Sequence, residues 1–398
     1  FHQLLPPRHR LLNSLGVSDL AGFKVAFTDS VRRHGNAHEM LDALRSFTFE
    51  LCSFGDSGLR QDLYRLCNAK ERLILATLLS DRKEISDQLA DAAAHLGDGA
   101  AVCSSALGDN VSVERFLSKS LEKYQLRPWN LAGDDLLGLF DHALAKVAAG
   151  AACPSRGKVS IIMSAFNSDS ALMSRAIRSV LLQTYGDFEL FVIDDASDPA
   201  ASREIQTVCQ GDPRVKVIRL PVNQGPYIGR NVALQMASGD YITIHDSDDL
   251  AHPQRLEFQV ARLNGDDLMM VTSYHARFAL RGCMQFEAHF KPIGDGTMTS
   301  MFRRELFDKV GPFLPVRSRG DVEFRERVNK MLGPSAYRHL EPPLMLCHAS
   351  PGTLSNKTSS NNRHALQLFR TIFSDFRYEP SYTALDAPPV PIPLAMRA

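Results

Sequence analysis

From about His38 to Leu96 apolar residues recur at spacings of three and four, in HEMLDALRSFTFELCSF, ERLILATLL and KEISDQLADAAAHL, a period that predicts amphipathic helices. No chemical motif interrupts them, so the run reads as a packing or interaction module. Two more helices are predicted at VERFLSKSLEKY and DDLLGLFDHALAKV, and the breaker-rich AGAACPSRGK after them reads as a linker. Beyond Lys158 the period changes. VSIIMSA (159–165), FELFVIDDAS (188–197), VKVIRL (215–220) and DYITIHDSDD read as strands, separated by helical SALMSRAIRSVLLQ (170–183), REIQTVCQ and GPYIGRNVALQMA. This alternation argues for a mostly parallel sheet covered by helices, in which ligands gather beyond the carboxyl ends of the strands. Asp194, Asp195, Asp246, Asp248 and Asp249 all fall at such ends. The expected organisation is a helical region over 1–148, a linker over 149–157, an α/β domain over 158–356, and a C-terminal helix with a proline-rich tail over 357–398.

Composition narrows the function classes. Lys plus Arg equals Asp plus Glu at 45 each, and there is no basic-aromatic pattern or finger spacing, which argues against a nucleic-acid partner. The seven cysteines are scattered without a CxxC pair, so a structural zinc site is not expected and a reducing compartment is. No GxxxxGK[ST] is present, which removes a P-loop enzyme. No apolar run reaches the roughly 18 residues of a membrane span, and the opening FHQLLPPRHR lacks a signal-peptide core. The expectation is a cytoplasmic protein, soluble or peripheral at the membrane. HALQLFRTIFSDF (364–376) reads as an amphipathic helix whose Leu366, Phe369 and Ile372 could pack on the protein or face a membrane, and the N-terminal helices offer a second place for a protein partner.

The stretch ITIHDSDDL ends a strand on three carboxylates. Taken alone, Asp246-Ser247-Asp248-Asp249 is most simply a solvated turn that caps the helix after Pro253. The same acids could converge on a hard divalent ion, whose shell water and phosphate oxygens would complete. His245 should point opposite to Asp246 and pack inward.

The surroundings decide between these. VSIIMSAFN ends on Ala165-Phe166-Asn167, AIRSVLLQTYGDFELFVIDDAS carries a helix ending in Gln-Thr and then Asp-Asp-x-Ser, and NQGPYIGRNVALQMASGDYITIHDSDD supplies N-x-G, A-R-N-like and D-x-D elements in order. Over about 159–356 this set resembles the inverting glycosyltransferases of family 2. The resemblance implies a GT-A fold, a Rossmann-like mixed sheet flanked by helices. It implies a UDP-sugar donor, Mn2+ or Mg2+, and a glycan or lipid-linked glycan acceptor of the kind used in bacterial surface polysaccharide synthesis. Carried over by position, Ala165 and Asn167 line the nucleotide site, Asp195 meets the uracil edge and Asp194 shapes that pocket. Arg230 lies near base or diphosphate, Asp246 faces the ribose or metal, Asp248 is the principal metal ligand and His348 a further one. Asp321 is the catalytic base, its carboxyl expected to be raised by an enclosed site. Here the chain departs from the family, which usually has an acid where Gly320 stands; Glu323 falls two residues after the base and so off its helix face. Plainer roles stand beside these: Arg230 as an ion-pair partner of a strand-end Asp, Asp194 as a turn cap, His348 as a buried histidine. A nucleotidyltransferase and a non-catalytic glycan-binding scaffold are the other two readings.

Overall fold

The computed structural model describes Tyr64 and residues 69–78, 81–145, 154–287, 291–317 and 319–349. The helices predicted around HEMLDALRSFTFELCSF and at 364–376, together with the proline-rich tail, lie outside these residues. The chain forms two compact units, one of residues 1–116 with 283–292, the other of residues 117–282 with 293–398.

In the first unit the described helices are α1 (Ala69–Leu78), α2 (Arg82–Leu96), α3 (Ala100–Ala106) and the start of α4 (Asn110–Lys123). Leu73, Ile74, Ile85, Val102 and Val113 are buried, as the three-and-four spacing requires. Arg72 pairs with Glu84 across α1 and α2.

The second unit is an α/β domain preceded by the end of α4 and by α5 (Leu136–Ala145). Its strands are β1 (Val159–Ala165), β2 (Phe188–Asp194), β3 (Val215–Arg219), β4 (Tyr241–Asp246), β5 (Leu250–Ala251) and β6 (Met270–Ala279). After β7 (Met284–Gln285), which belongs to the first unit, come β8 (Gly294–Arg303) and β9 (Tyr337–Ala349). The sheet runs β3-β2-β1-β4-β8-β6-β9-β5. The first four strands are parallel; β8 is antiparallel to both β4 and β6, β9 is parallel to β6, and β5 is antiparallel to β9. A mixed sheet flanked by helices is therefore present, as expected. The four parallel strands direct their carboxyl ends to one edge, where β1 stops at Ala165, β2 at Asp194 and β4 at Asp246.

Burial explains why these strands were legible. Every residue of β2 is buried, because helices cover both faces, so it reads as a continuous apolar run. Its one early acid, Glu189, accepts from Ser160 Oγ, Ser238 N and Oγ, and Lys216 Nζ at 2.7–2.8 Å. Burial pushes its carboxyl up, but these donors outweigh burial and hold it at about 2. Helix α6 (Ser170–Leu181) starts where Asp169 accepts from the amides of Ala171 and Leu172 at 2.9 and 3.0 Å. Helix α7 (Pro199–Val208) follows β2, and α8 (Pro226–Met236) opens with proline at its first position. Helices α9 (Arg255–Gly265), α10 (Glu305–Val310) and α11 (Gly320–Leu332) complete the layers. Beneath α11 an aromatic group of Phe302, Phe307, Phe313 and Phe324, with ring centroids 4.7–6.1 Å apart, fixes that helix against the sheet.

Candidate active site

The site grows from the strand ends. Ala165 closes β1, and its carbonyl accepts Asp195 N at 2.9 Å, which locks the turn after β2 to the end of β1. Asn167 and Asp198 clasp each other across the same gap, Asn167 Nδ2 donating to Asp198 Oδ2 at 3.1 Å and Asp198 N to Asn167 Oδ1 at 2.8 Å. Three non-glycine residues near this edge, Asn167, Ala196 and Arg319, hold positive φ of 47°, 58° and 65°. Such a conformation costs on the order of 1–3 kcal/mol and persists only where neighbouring bonds fix it.

The two acids after β2 have different partners. Asp194 is fully buried; it accepts from Ser197 N, Ser202 Oγ and Arg219 Nη1 at 2.6–2.8 Å. Burial raises its carboxyl and the donors outweigh that, leaving it below its ordinary value. Its oxygens are thus spent on shaping the turn. Asp195 receives the backbone amides of Gln224 and Gly225, each at 2.8 Å, one on each oxygen. That bond draws the N-x-G segment ahead of α8 onto β2 and leaves each oxygen one lone pair. Gly229 then lets α8 sit close, since a Cβ there would lie 2.9 Å from Ile193 Cγ2.

Arg230, one residue before the middle of α8, is 5% exposed. Its guanidinium lies 4.9 Å from the centroid of the Tyr227 ring, and Nη2 reaches Asp246 Oδ1 at 3.4 Å. Nε and Nη1 are buried and have no hydrogen-bond partner among the described residues. The ion pair to a strand-end acid is therefore real, yet two of the fork's donors remain to be satisfied.

In the acidic turn, Ser247 Oγ meets Ser168 Oγ at 2.8 Å, and Asp249 accepts His348 N at 2.9 Å. Asp248 Oδ2 lies 3.1 Å from His348 Nδ1, while His348 Nε2 is buried without a partner among the described residues. Enclosure and then the like charges of Asp248 and Asp321 raise Asp246, against the pull of Arg230 and Arg277. Asp249 is pushed well up by burial and then by Asp248 and Asp246. A cation would relieve this crowding. Two donor atoms 3.1 Å apart are also spaced as adjacent ligands of one octahedral ion, for bonds of about 2.1 Å at right angles place ligand atoms about 3.0 Å apart. No three His, Cys, Asp or Glu residues converge on a point among the described residues, so the chain would supply only part of a shell. A Mg2+ or Mn2+ ion that keeps waters and takes diphosphate oxygens fits that donor set.

His245 packs inward as expected, fully buried. Arg255 on α9 donates Nη2 to Thr243 Oγ1 at 2.7 Å and to Ile244 O at 3.0 Å, and its Nη1 lies 3.2 Å from His245 Nδ1. Burial and then Arg255 hold His245 down at about 3, so the ring is neutral, Nδ1 accepts from Arg255 and Nε2–H donates to Asp249 O at 3.2 Å. A fixed relay thus runs from α9 to the acidic turn. His252 is similarly pushed down to about 4 by burial. Both rings are neutral in the folded chain and charge on unfolding, so their contribution is complete above pH about 6.5 and is lost as pH falls towards the folded values. From pH 6.5 to 5.5 each should remove about 1 kcal/mol of stability. Urea unfolding at these two pH values should show this fall, reduced in a His245→Asn, His252→Asn variant; an unchanged slope would refute the assignment.

Asp321 lies in the first turn of α11. Tyr227 donates to Oδ1 at 2.7 Å and Thr297 Oγ1 donates to Oδ2. The expectation of a raised carboxyl is corrected here. Burial does raise it, but the Thr297 hydroxyl, the Arg230 charge and the Tyr227 hydroxyl outweigh burial and lower it. Glu323 turns away from the site and pairs with Arg327 in the core at 2.9 Å. Sequence reasoning did not single out Tyr227, Thr297 or Arg255. Tyr227 had one available signal, its i, i+3 spacing to Arg230 on a helix; Thr297 had none.

Acids at parallel strand ends, a buried arginine and a carboxylate on a separate helix thus gather at the carboxyl edge of the sheet, where ligands of open α/β sheets lie. Residues 160–317 match the family model for glycosyl transferase family 2. An uncharacterized glycosyltransferase of Haemophilus influenzae is 39% identical over 124 residues, 31% of this chain and 49% of that protein. A UDP-Glc:alpha-D-GlcNAc-diphosphoundecaprenol beta-1,3-glucosyltransferase of Escherichia coli, WfgD, is 30% identical over 159 residues, 38% of this chain and 62% of that enzyme. The chain thus spans about half the length of the first relative and less than two thirds of the second. Among solved structures, S. aureus TarS 1-349 in complex with UDP-GlcNAc overlays at TM-score 0.40 with 21% identity, over 49% of this chain and 60% of that one. The mannosyltransferase PcManGT from Pyrobaculum calidifontis, in complex with GDP-Man and Mn2+, overlays at 0.43 with 17% identity, over 71% and 78%. Overlays this loose leave the site to be read from the chain's own residues.

Proposed function

We propose that the domain transfers a sugar from a nucleoside diphosphate to a hydroxyl of a glycan or lipid-linked glycan, in one in-line displacement that inverts the anomeric centre. The observation that carries this reading is Arg230, a buried guanidinium with two nitrogens unpartnered among the described residues, set between Asp246 and the charge of Asp321. A diphosphate is the ligand class that satisfies a planar fork there. Asp195, through its free lone pairs, accepts from the base, and Asp246 accepts ribose hydroxyls. Asp248 and His348 would hold a divalent cation, Mn2+ or Mg2+, which would supply charge neutralisation to the diphosphate. Asp321 receives the acceptor's hydroxyl proton as the oxygen attacks; the new C–O bond forms as the bond to the diphosphate breaks, and the diphosphate leaves with the electron pair. Because the leaving group is already stabilised, the scheme needs no second protein acid.

UDP is the nucleotide we favour, supported by the name of the Escherichia coli relative. That name also supports a lipid-linked acceptor, for which we infer a role in surface polysaccharide synthesis at the cytoplasmic face of the membrane. No helix among the described residues is long and apolar enough to cross a membrane. The test is release of nucleoside diphosphate from panels of UDP- and GDP-sugars with Mn2+, Mg2+ or EDTA, beside Asp248→Ala. Turnover of one donor, abolished by EDTA and lowered at least about 100-fold by the variant, is expected. Failure of every nucleotide to bind in calorimetry would defeat the reading.

A further inference from the structure

Gly320 and Tyr227 belong together. A Cβ built on Gly320 would lie 2.9 Å from Cδ1 and Cγ of the Tyr227 ring and 3.0 Å from Cε1. No acid of any rotamer can stand at 320 while that ring is in place. The ring itself is 5% exposed, lies 6.1 Å from Phe313, and carries the Arg230 guanidinium at 4.9 Å. Its hydroxyl is aimed at Asp321 Oδ1 at 2.7 Å. The glycine at the start of α11 and the tyrosine at the start of α8 are thus two halves of one contact.

We propose that Tyr227 is the positioning residue of the base, orienting Asp321 through its hydroxyl and Arg230 through its ring face, and that Gly320 is the space this arrangement requires. The inference rests on Asp321 and Arg230 having the roles given above. Burial and then the Asp321 charge push the Tyr227 phenol well above its ordinary value, so it stays a donor at every working pH. Thr297 takes the other oxygen and the Val322 amide also bonds the carboxylate, which leaves a lone pair for the proton of the acceptor hydroxyl. The charged groups facing Asp321 are Arg230 from α8 and Asp246 from β4. Tyr227 therefore holds the proton-accepting and the phosphate-binding groups in fixed relation, two functions joined in one side chain.

The test uses the whole chain. Tyr227→Phe keeps the ring, and so the fold and the Arg230 contact, and removes only the hydroxyl. Expected results are a fall in kcat of about tenfold or more with donor KM changed less than about threefold, and an acidic limb of the pH profile moved up by about one unit. The upward direction follows because the lost donor favoured the ionised carboxyl. A carbon-13 titration of the Asp321 carboxyl, assigned with Asp321→Asn, should show the same upward movement without any donor present. Gly320→Ala should lower kcat in the natural protein but cost much less in a Tyr227→Leu background, since the collision partner is then absent. Natural turnover with an unmoved carboxyl titration in Tyr227→Phe, or additive effects of Gly320→Ala and Tyr227→Leu, would overturn the proposal. Because the titration needs no donor, a shift in it beside absent nucleotide binding would fault the transferase reading and leave the Tyr227–Asp321 coupling standing.

Discussion

If Asp321 is the proposed base, Asp321→Asn should lower kcat by about a thousandfold, within the range expected for loss of a positioned general base, while UDP binding should stay within a few-fold of the natural protein. The substitution is nearly isosteric, so α11 and its aromatic seat on Phe302 and Phe313 should be retained. An amide, however, offers one oxygen where the carboxylate offered two. Tyr227 and Thr297 both donate toward this group, so one of them must meet the amide nitrogen instead. The proton of the attacking hydroxyl then has no acceptor. The measurement is steady-state turnover with whichever donor the nucleotide-sugar panel selects, paired with calorimetry of UDP. Turnover within tenfold of the natural protein would remove Asp321 from the role of base and return attention to Asp246, whose raised carboxyl lies nearby.

The second large effect is on stability. Arg327→Met takes the guanidinium away from Glu323, and both side chains are 0% exposed. Arg327 also donates to the carbonyls of Val310 and Pro312 at 2.6 and 2.9 Å, which tie α11 to the segment after α10. Removing one partner of a buried ion pair costs about 3–5 kcal/mol, because the remaining charge stays in the interior. Thermal unfolding should move down by about 10 °C in a domain of this size. Glu323→Leu combined with Arg327→Met should recover much of the loss, since an apolar pair of similar volume carries no desolvation penalty. A cost below 1 kcal/mol for the single substitution would show that the pair is relaxed or hydrated.

Parts of this molecule are written in short-range patterns and parts are not. β1, β2 and β4 were legible because their residues are buried on both faces, which forces continuous apolar runs. β6 escaped notice because Thr272, Ser273, His275 and Arg277 break its apolar pattern. The fold tolerates them through specific bonds, as where Ser273 N donates to Thr299 Oγ1 at 2.7 Å. β9 contains Pro342 and Pro343, a signal against a central strand. The structure absorbs them with a register shift, Ser273 pairing Leu340 and Tyr274 pairing Pro343.

The site divides in the same way. Positions at strand ends follow from chain order, so Asp195, Asp246 and Asp248 could be placed from sequence. What each carboxyl bonds to could not. The donors to Asp321 come from positions 24 and 94 residues away, and the carboxyl they lower was expected to be raised. Burial alone gives the wrong sign there, and only the tertiary partners correct it.

The course of β9 bears on how the domain can be cut. Asp321 on α11 and His348 on β9 both lie after residue 317, where the family match ends, and β9 fills the gap between β6 and β5. Before the match, Arg127 and Trp129 bond to His252 and to Pro343 on the same sheet. A fragment trimmed to 160–317 would therefore expose the open side of β6 and discard the proposed base, Asp321, along with it. The smallest piece worth expressing, or grafting into a chimera, runs from Leu117 through β9.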